Sequence, residues 1–151
     1  MPNERTVSAS RTMLADLMSP PDANNNGTVF GGRVLQMVDK AAGVCAMRHA
    51  GKPCVTVAME RVEFLVPIQL GAVVSVEAQV NYVGRTSMEI GVEVYAEYVG
   101  QGGRKHTNSC LVTMVAVDRR GKPSPVPRLC LETPEERERA FAAEARRKAR
   151  R

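Results

Sequence analysis

The sequence has no tryptophan and few other aromatic residues, which together make up 4% of its 151 residues. This scarcity argues against a surface that binds nucleic acid by stacking bases on rings. No uninterrupted apolar run approaches the roughly 20 residues of a membrane span. The opening residues, MPNERTVSASR, lack the hydrophobic core of a signal peptide. We therefore expect a cytoplasmic location, with neither a membrane nor a nucleic acid as partner.

Metal ligands and common catalytic motifs are also scarce. Cys45, Cys54, Cys110 and Cys130 lie far apart, and no nearby histidine completes a zinc ligand set. We expect free, mostly buried thiols and neither a metal nor another cofactor. The chain has no G-x-S-x-G, no Walker A order and no G-x-G-x-x-G. The absence of these motifs argues against the nucleophile elbow of a serine hydrolase and against the common phosphate-binding loops for nucleotides.

Length and charge predict one domain with a basic tail. A chain of this length suits a single core, which we place in residues 1–132. The net charge is +5, yet residues 133–151 hold seven basic and four acidic residues, so the basicity belongs largely to the tail. The tail starts with TPEE, the order of an N-cap, a first-turn proline and a reciprocal glutamate. Because little after Phe141 needs burial, we expect a solvated or fraying helix.

The first half of the chain predicts a strand, a loop and one long helix. A mixed apolar pattern over residues 8–18 predicts the strand, and SPPDANNNG has the composition of a loop. Residues 30–50 have almost no polar face and stop before Gly51, which occupies a C-cap position. A helix of this kind is buried on most sides.

After residue 52 the hydrophobic period changes to two. CVTVAMERVEFLVP predicts a strand that ends at Pro67, and VVSVEAQVNYV alternates with Tyr82 on its apolar face. SMEIGVEVYAEYV and HTNSCLVTMVAVD follow after short links, which predicts an antiparallel sheet. We thus predict an α+β fold in which five or six strands wrap around one long central helix, with a C-terminal helix added. The remaining open edge predicts dimerisation.

One carboxylate stands out in the central helix. Asp39 shares a helical stripe with small and apolar residues, so we expect it to be desolvated. Such a group costs several kcal/mol unless it is paired or has a function. A buried ion pair is the structural alternative, but perturbed carboxylates in clefts concentrate at active sites. We therefore favour a catalytic role for Asp39.

The segment before the helix supports this interpretation. NNNGTVFGG places a turn with few bulky side chains at a helix N-terminus, where free N–H groups gather partial positive charge. Such a terminus can stabilise an oxyanion of acyl transfer, and Gly31 and Gly32 are the candidate donors. Simple turn formation is the alternative explanation for the glycines.

Four segments together resemble a known family. PDANNNGTVFGG, LQMVDKAAG, VTVAMERVEFLVPIQLG and VGRTSMEIGVEV are similar to the hotdog-fold acyl-CoA thioesterases of the brain acyl-CoA hydrolase and YciA-like group. The resemblance runs from about residue 14 to residue 126 and leaves out the basic tail. It implies a hotdog fold and hydrolysis of fatty acyl-CoA to free fatty acid and CoA. It also implies a homodimer with active sites at the interface, and a hexamer built as a trimer of dimers.

The resemblance also implies roles for individual residues. Asn24, found by counting back from Gly27 through the family's Asn-x-x-Gly spacing, matches an asparagine that acts with the helix aspartate across the dimer interface. Asp39 would be the general base that activates water or the nucleophile that forms an anhydride. Thr56 is either a helper of the carboxylate or an ordinary β-branched strand residue.

The segment VGRTS forms a second candidate site. A hairpin link with an arginine and two hydroxyls can hold phosphate, and the resemblance places it near the nucleotide of CoA. The candidates are Gly84, Arg85, Thr86 and Ser87. A non-catalytic hotdog module that senses acyl-CoA, or binds nucleic acid through the tail, is the alternative function.

Overall fold

A computed structural model of the chain describes residues 3–150. Seven strands and three helices lie in this range, and a short 3₁₀ turn follows the second strand. Their bounds are β1 Glu4–Thr6, α1 Val7–Ser10, β2 Thr12–Leu17, α2 Gly31–Ala50, β3 Cys54–Glu60, β4 Val73–Val83, β5 Ser87–Glu97, β6 Arg104–Ala116, β7 Arg128–Cys130 and α3 Pro134–Ala149.

Five strands form one antiparallel sheet around the central helix, which confirms the predicted fold. The strand order is β2-β4-β5-β6-β3, so β2 and β3 are the edges. Strands β4, β5 and β6 pair consecutively over most of their length. Their alternate apolar residues face α2 because successive side chains point to opposite faces of a strand. The core contains Val74, Val76, Ala78, Val80, Met88, Ile90, Val92, Val94, Val112 and Met114, all buried.

Helix α2 has the predicted length. Phe30 is its N-cap residue, and Gly51 ends it in the left-handed conformation, with φ of 70°. The N–H of Gly51 donates to the carbonyl of Met47 at 2.8 Å, which satisfies one of the terminal carbonyl groups. Most of its apolar residues contact the concave face of the sheet. Met47, however, is exposed, so the helix keeps one open side in the protomer.

Two predicted strands are longer than the observed ones. The prediction over residues 8–18 is wrong at its start, because α1 occupies residues 7–10 and Thr6 Oγ1 accepts a bond from the N–H of Ala9. This helix packs on α2 and buries Val7 and Ser10. Strand β3 stops at Glu60 and not at the proline, since Arg61 adopts a left-handed backbone with φ of 57°.

The face assignment of Tyr82 is wrong because β4 contains a bulge. The register between β4 and β5 shifts between Val80 and Tyr82, so Tyr82 pairs with Glu89 on the outer face. An extra residue in one strand moves every later side chain to the opposite face. Asn81 is the extra residue, and its Nδ2 donates to Glu89 Oε2 at 3.0 Å.

Helix α3 packs one side on the outer face of the sheet, while most of its residues are exposed, as predicted for a solvated helix. Thr133 Oγ1 caps it by accepting from the N–H of Glu136 at 3.1 Å. The carboxylate of Glu136 reaches one residue farther back than predicted and accepts from the N–H of Glu132 at 2.8 Å. Ala143 is buried against the sheet, whereas Phe141 is 77% exposed.

A bidentate ion pair fixes the second half of α3 to the sheet. Arg146 Nε and Nη2 donate to the two carboxylate oxygens of Glu89 at 3.0 and 2.7 Å. The Glu89 side chain is only 7% exposed, so the pair lies in a largely desolvated position. Sequence patterns do not reveal this contact because it joins residues 57 positions apart. The predicted division of the chain after residue 132 stays a prediction.

Candidate active site

The side chain of Asn24 organises the loop before α2. Its Oδ1 accepts from the N–H groups of Asn26 at 2.8 Å and Thr28 at 3.1 Å, and its Nδ2 donates to Thr28 Oγ1 at 2.8 Å. Gly27 adopts φ of 83° inside this turn, a conformation that a side chain would strain. Asn24 therefore has a fixed orientation within its own protomer, and one amide hydrogen remains for another acceptor.

The start of α2 presents free backbone donors. The N–H of Phe30 donates to the carbonyl of Asp22, and the N–H of Arg33 donates to the carbonyl of Phe30. Within residues 3–150, the N–H groups of Gly31 and Gly32 have no recorded acceptor. Two unpaired donors at a helix N-terminus are suited to hold a developing negative charge.

Two phenylalanine rings lie against these glycines. A Cβ on Gly32 would overlap the ring of Phe30 and lie 2.8 Å from its Cζ, and a Cβ on Gly31 would lie 3.3 Å from Phe64 Cζ. A side chain at Gly32 would displace the exposed Phe30 ring, and one at Gly31 would shift the Phe64 ring slightly. The two glycines therefore let the rings lie against the start of the helix, and neither has a positive φ.

An arginine clamp holds the loop against the helix. Arg33 Nε donates to Asp22 Oδ1 at 2.8 Å, and its Nη2 pairs with Asp16 of β2. A backbone hydrogen bond from Ser19, followed by the Arg33 guanidinium, lowers the pKa of Asp22 below its usual value. The clamp joins β2, the loop and α2, and it keeps the free donors in a defined place.

The structure brings Thr56 to Asp39. Thr56 Oγ1 on β3 donates to Asp39 Oδ1 at 2.6 Å, which favours the helper role over that of an ordinary strand residue. The bond joins the middle of α2 to the edge strand. Asp39 is only partly buried in the protomer, so the expected full desolvation is not observed. The reason is that the carboxylate faces β3, and within residues 3–150 no further strand pairs with the outer edge of β3.

Asn24 and Asp39 are not brought together within one protomer. No hydrogen bond between them occurs in the described part of the chain, and Asn24 is committed to its loop. The nearby surface is unusually apolar for a free monomer. Exposed large apolar residues lie on β3 and on the segment after it: Val55, Val57, Phe64, Leu65 and Val66. An unpaired strand edge beside such a patch is typical of a protein interface.

The VGRTS segment forms the β4–β5 turn. The N–H of Gly84 donates to the carbonyl of Ser87 at 2.8 Å, which closes the hairpin. The carbonyls of Arg85 and Thr86 accept from the N–H groups of Val126 and Ala116 at 2.9 and 3.0 Å. These bonds fix the backbone of the turn and leave the Arg85 side chain exposed.

Sequence reasoning missed one neighbour of this turn. The last turn of α3 lies beside Gly84, and the two segments line a common cavity of about 270 Å³. No local pattern indicates that a tail and a hairpin more than 60 residues apart will meet.

Three further features of the described residues concern metal ions, thiols and membranes. Within residues 3–150, no group of three or more histidine, cysteine, aspartate or glutamate residues is arranged to hold a metal ion. All four cysteines are free, and Cys45 and Cys110 are buried. Of the helices in this range, none combines the length and apolarity needed to cross a membrane.

Comparisons with known proteins show clear similarity. The model of the family described as Thioesterase superfamily matches residues 26–102. Protein VdlD of Helicobacter pylori is 40% identical over 123 residues, which are 82% of this chain and 70% of that protein. A Bacillus subtilis protein named uncharacterized acyl-CoA thioester hydrolase YkhA is 38% identical over 135 residues, which are 89% of this chain and 78% of that protein.

Solved structures are equally similar. The crystal structure of an apo-hexameric acyl-CoA thioesterase superposes with a TM-score of 0.93 at 40% identity, over 97% of this chain and 94% of that one. An acyl-CoA hydrolase from Staphylococcus aureus, in complex with butyryl coenzyme A and coenzyme A, gives a TM-score of 0.88 at 33% identity, over 97% and 92%. Three further structures of that hydrolase carry an Asn, a Thr or an Asp replaced by Ala.

Proposed function

This chain belongs to the thioesterase superfamily, and we propose on that premise that it hydrolyses the thioester of acyl-CoA to a free fatty acid and CoA. The observation that carries the proposal is the 2.6 Å bond between Thr56 and Asp39, a carboxylate inside the helix whose N-terminal donors are free. The names of its relatives support the same reaction.

The substituted residues of the Staphylococcus aureus hydrolase support the assignment. In that protein the Asn precedes the Asp by 15 positions, and the Asp precedes the Thr by 17. Asn24, Asp39 and Thr56 have the same two spacings. Chain order and spacing thus agree at all three positions, which supports placing these three side chains in one site.

The proposed chemistry begins at the carboxylate of Asp39. In one route Asp39 takes a proton from water, whose oxygen adds to the thioester carbonyl; the tetrahedral intermediate then expels CoA thiolate, which is protonated. In the other route Asp39 itself attacks and expels the thiolate, and water hydrolyses the resulting mixed anhydride. Thr56 orients the carboxylate in both routes. The N–H groups of Gly31 and Gly32 lie eight and seven residues before Asp39, roughly 10–12 Å along the same helix, so they would stabilise the oxyanion formed at Asp39 of a second copy of the chain.

The proposed site is completed by a second copy of the chain. Asn24 of one protomer would orient the water or the carbonyl oxygen at Asp39 of the other. The supporting observations are the fixed Asn24 rotamer and the unpaired apolar edge of β3. Pairing two β3 edges would also bury the exposed Val55 and Val57. The hexameric structures among the neighbours are compatible with a trimer of such dimers.

The nucleotide portion of CoA is assigned to the β4–β5 turn. Its backbone is closed by hydrogen bonds and Arg85 is exposed, while Thr86 and Ser87 are half-buried; a guanidinium beside two hydroxyls suits phosphate binding. No separate cofactor is required by this scheme, since water, the carboxylate and backbone donors supply every step. The cytoplasmic location stays a prediction.

The test is the release of free CoA from acyl-CoAs ranging from acetyl to palmitoyl. Asp39→Asn should lower kcat/KM by about two to four orders of magnitude, because it removes the base while keeping the size of the side chain. Glu138→Gln, an exposed charge change on α3, is the matched control and should behave like the wild type. An enzyme-only blank corrects for the four cysteines, which also react with thiol reagents.

Two outcomes would contradict the proposal. Normal turnover by folded Asp39→Asn protein would remove that carboxylate from the chemistry. A folded, oligomeric wild type that binds acyl-CoA but hydrolyses none of the panel would instead indicate a non-catalytic sensor.

A further inference from the structure

The C-terminal helix α3 contacts the β4–β5 turn, to which the CoA nucleotide is assigned. The guanidinium of Arg147 lies directly over Gly84, where a Cβ would overlap Nη1 and lie 2.7 Å from Cζ. The same guanidinium lies 5.6 Å from the centre of the Tyr82 ring, within cation–π range. A side chain at position 84 would therefore displace the Arg147 guanidinium from its place over the turn.

The basic residues at the end of α3 are of two kinds, those paired with a carboxylate and those without a close partner. Arg146 and Arg150 are neutralised, the first by Glu89 and the second by Glu60, and both pairs are at hydrogen-bond distance. Arg147 has no carboxylate partner among the ion pairs of residues 3–150. Its neighbour Lys148 has only a loose pair, 3.7 Å long and largely exposed. Loose, exposed pairs of this kind contribute little.

These cations surround one cavity. It has a volume of about 270 Å³ and is lined by Tyr82, Gly84, Arg85, Glu144, Arg147 and Lys148. Three cationic side chains face one carboxylate there, so the cavity carries a net positive charge. Two of the three are guanidiniums that make no ion pair within the described residues, and this combination is suited to a phosphate group.

We propose that Arg147 and Lys148 of the C-terminal helix bind the phosphate groups of CoA together with Arg85. The inference rests on the proposed function, which assigns the turn to the CoA nucleotide, and it adds the tail to that site. CoA carries a pyrophosphate and a 3′-phosphate, so its nucleotide portion supplies the negative charge that the cavity lacks. Helix α3 is in this view a binding element and not only a cover for the sheet.

The test compares two thioesters with the same acyl group. Acyl-CoA carries the nucleotide phosphates, whereas acyl-pantetheine keeps the thioester and lacks all of them. For Arg147→Gln we expect kcat/KM with acyl-CoA to fall about tenfold, mainly through KM, because one exposed charge-assisted contact is lost. The same variant should hydrolyse acyl-pantetheine at the wild-type rate.

A matched control and a salt series complete the experiment. Lys105→Gln removes the same charge beside the opposite end of β5, about 30 Å from the turn. This variant should leave kcat/KM unchanged for both thioesters. For the wild type, KM for acyl-CoA should rise with ionic strength, and this dependence should weaken in Arg147→Gln.

The outcomes separate the inference from the proposed function. An equal loss on both thioesters would mean that Arg147 only docks the helix, and an unchanged kcat/KM for acyl-CoA would mean that it does not contact phosphate; either result overturns the inference. If the wild type hydrolyses neither thioester, the proposed function fails. In that case, calorimetric titration with CoA decides, since weaker binding by Arg147→Gln supports the inference and equal binding overturns it.

Discussion

Replacing Arg146 with methionine should destabilise the protein by leaving a buried carboxylate without its cation. Glu89 would lose both hydrogen bonds from the guanidinium and keep only the one from Asn81 Nδ2. Removing one partner of a buried pair costs about 3–5 kcal/mol when the remaining charge is fully desolvated. Because the Arg146 side chain is 19% exposed, water can partly replace it. We therefore expect a loss of about 2–3 kcal/mol.

The assay is thermal and urea unfolding at one fixed protomer concentration, since association shifts apparent stability. The expected loss corresponds to a lower Tm by about 5–10 °C for a chain of this size. Adding Glu89→Gln should restore most of the loss, because no buried charge then remains and Asn81 keeps an acceptor. Glu144→Gln, which breaks a pair that is loose and exposed, is the control. A loss below about 0.5 kcal/mol in Arg146→Met would refute the reasoning.

Three further predictions concern other parts of the molecule. Burial lowers the pKa of His49 from its ordinary 6.5. Below pH 6.5 the unfolded chain therefore binds a proton that the folded chain does not bind, and the free energy of unfolding should fall as the pH drops. This pH dependence should be weaker in His49→Gln when Tm is measured from pH 8 to 5. Gly32→Ala should lower kcat about tenfold or more with little change in Tm, because the new methyl group displaces the exposed Phe30 ring beside the oxyanion donors. A normal kcat would exclude a role of those donors in catalysis. Burial also raises the pKa of Cys45 and Cys54 to about 11, so mass spectrometry should find both slow to alkylate at pH 8 in the folded protein; rapid native labelling would contradict this.

Local patterns predicted the regular parts of the fold. The alternation in β4 and β5 and the apolar run of α2 each have one dominant period, and that period is set by backbone geometry alone. Gly51 and Thr133 marked helix ends for equally local reasons, one by its tolerance of a left-handed conformation and the other by its hydroxyl.

The errors arose where the structure depends on more than one local period. Tyr82 turns outward because of a bulge that only the register between β4 and β5 defines. Strand β3 ends early at Arg61, whose left-handed backbone has no signal in the sequence. The tail is ordered by Glu89, which lies on another element 57 positions away.

For the site, the sequence was most informative about residue types and least informative about proximity. Asp39 was recognisable as an acid in an apolar stripe, but its bond to Thr56 depends on how β3 meets α2. The same limit applies to Arg147, whose neighbour Gly84 belongs to a hairpin 63 positions earlier.

The open edge of β3 also affects how newly made protein reaches its working form. The strand carries one charge, at its last residue Glu60, and its valines are exposed, so the backbone N–H and C=O groups of this edge can pair with an extended chain as an extra strand. If the proposed dimer forms, a folded single subunit is a vulnerable intermediate, and assembly through this edge competes with aggregation of nascent or damaged chains. Because encounters between correct partners depend on subunit concentration, slow synthesis or strong dilution prolongs this exposure. The chain's solubility in a cell should thus depend on how quickly its copies meet.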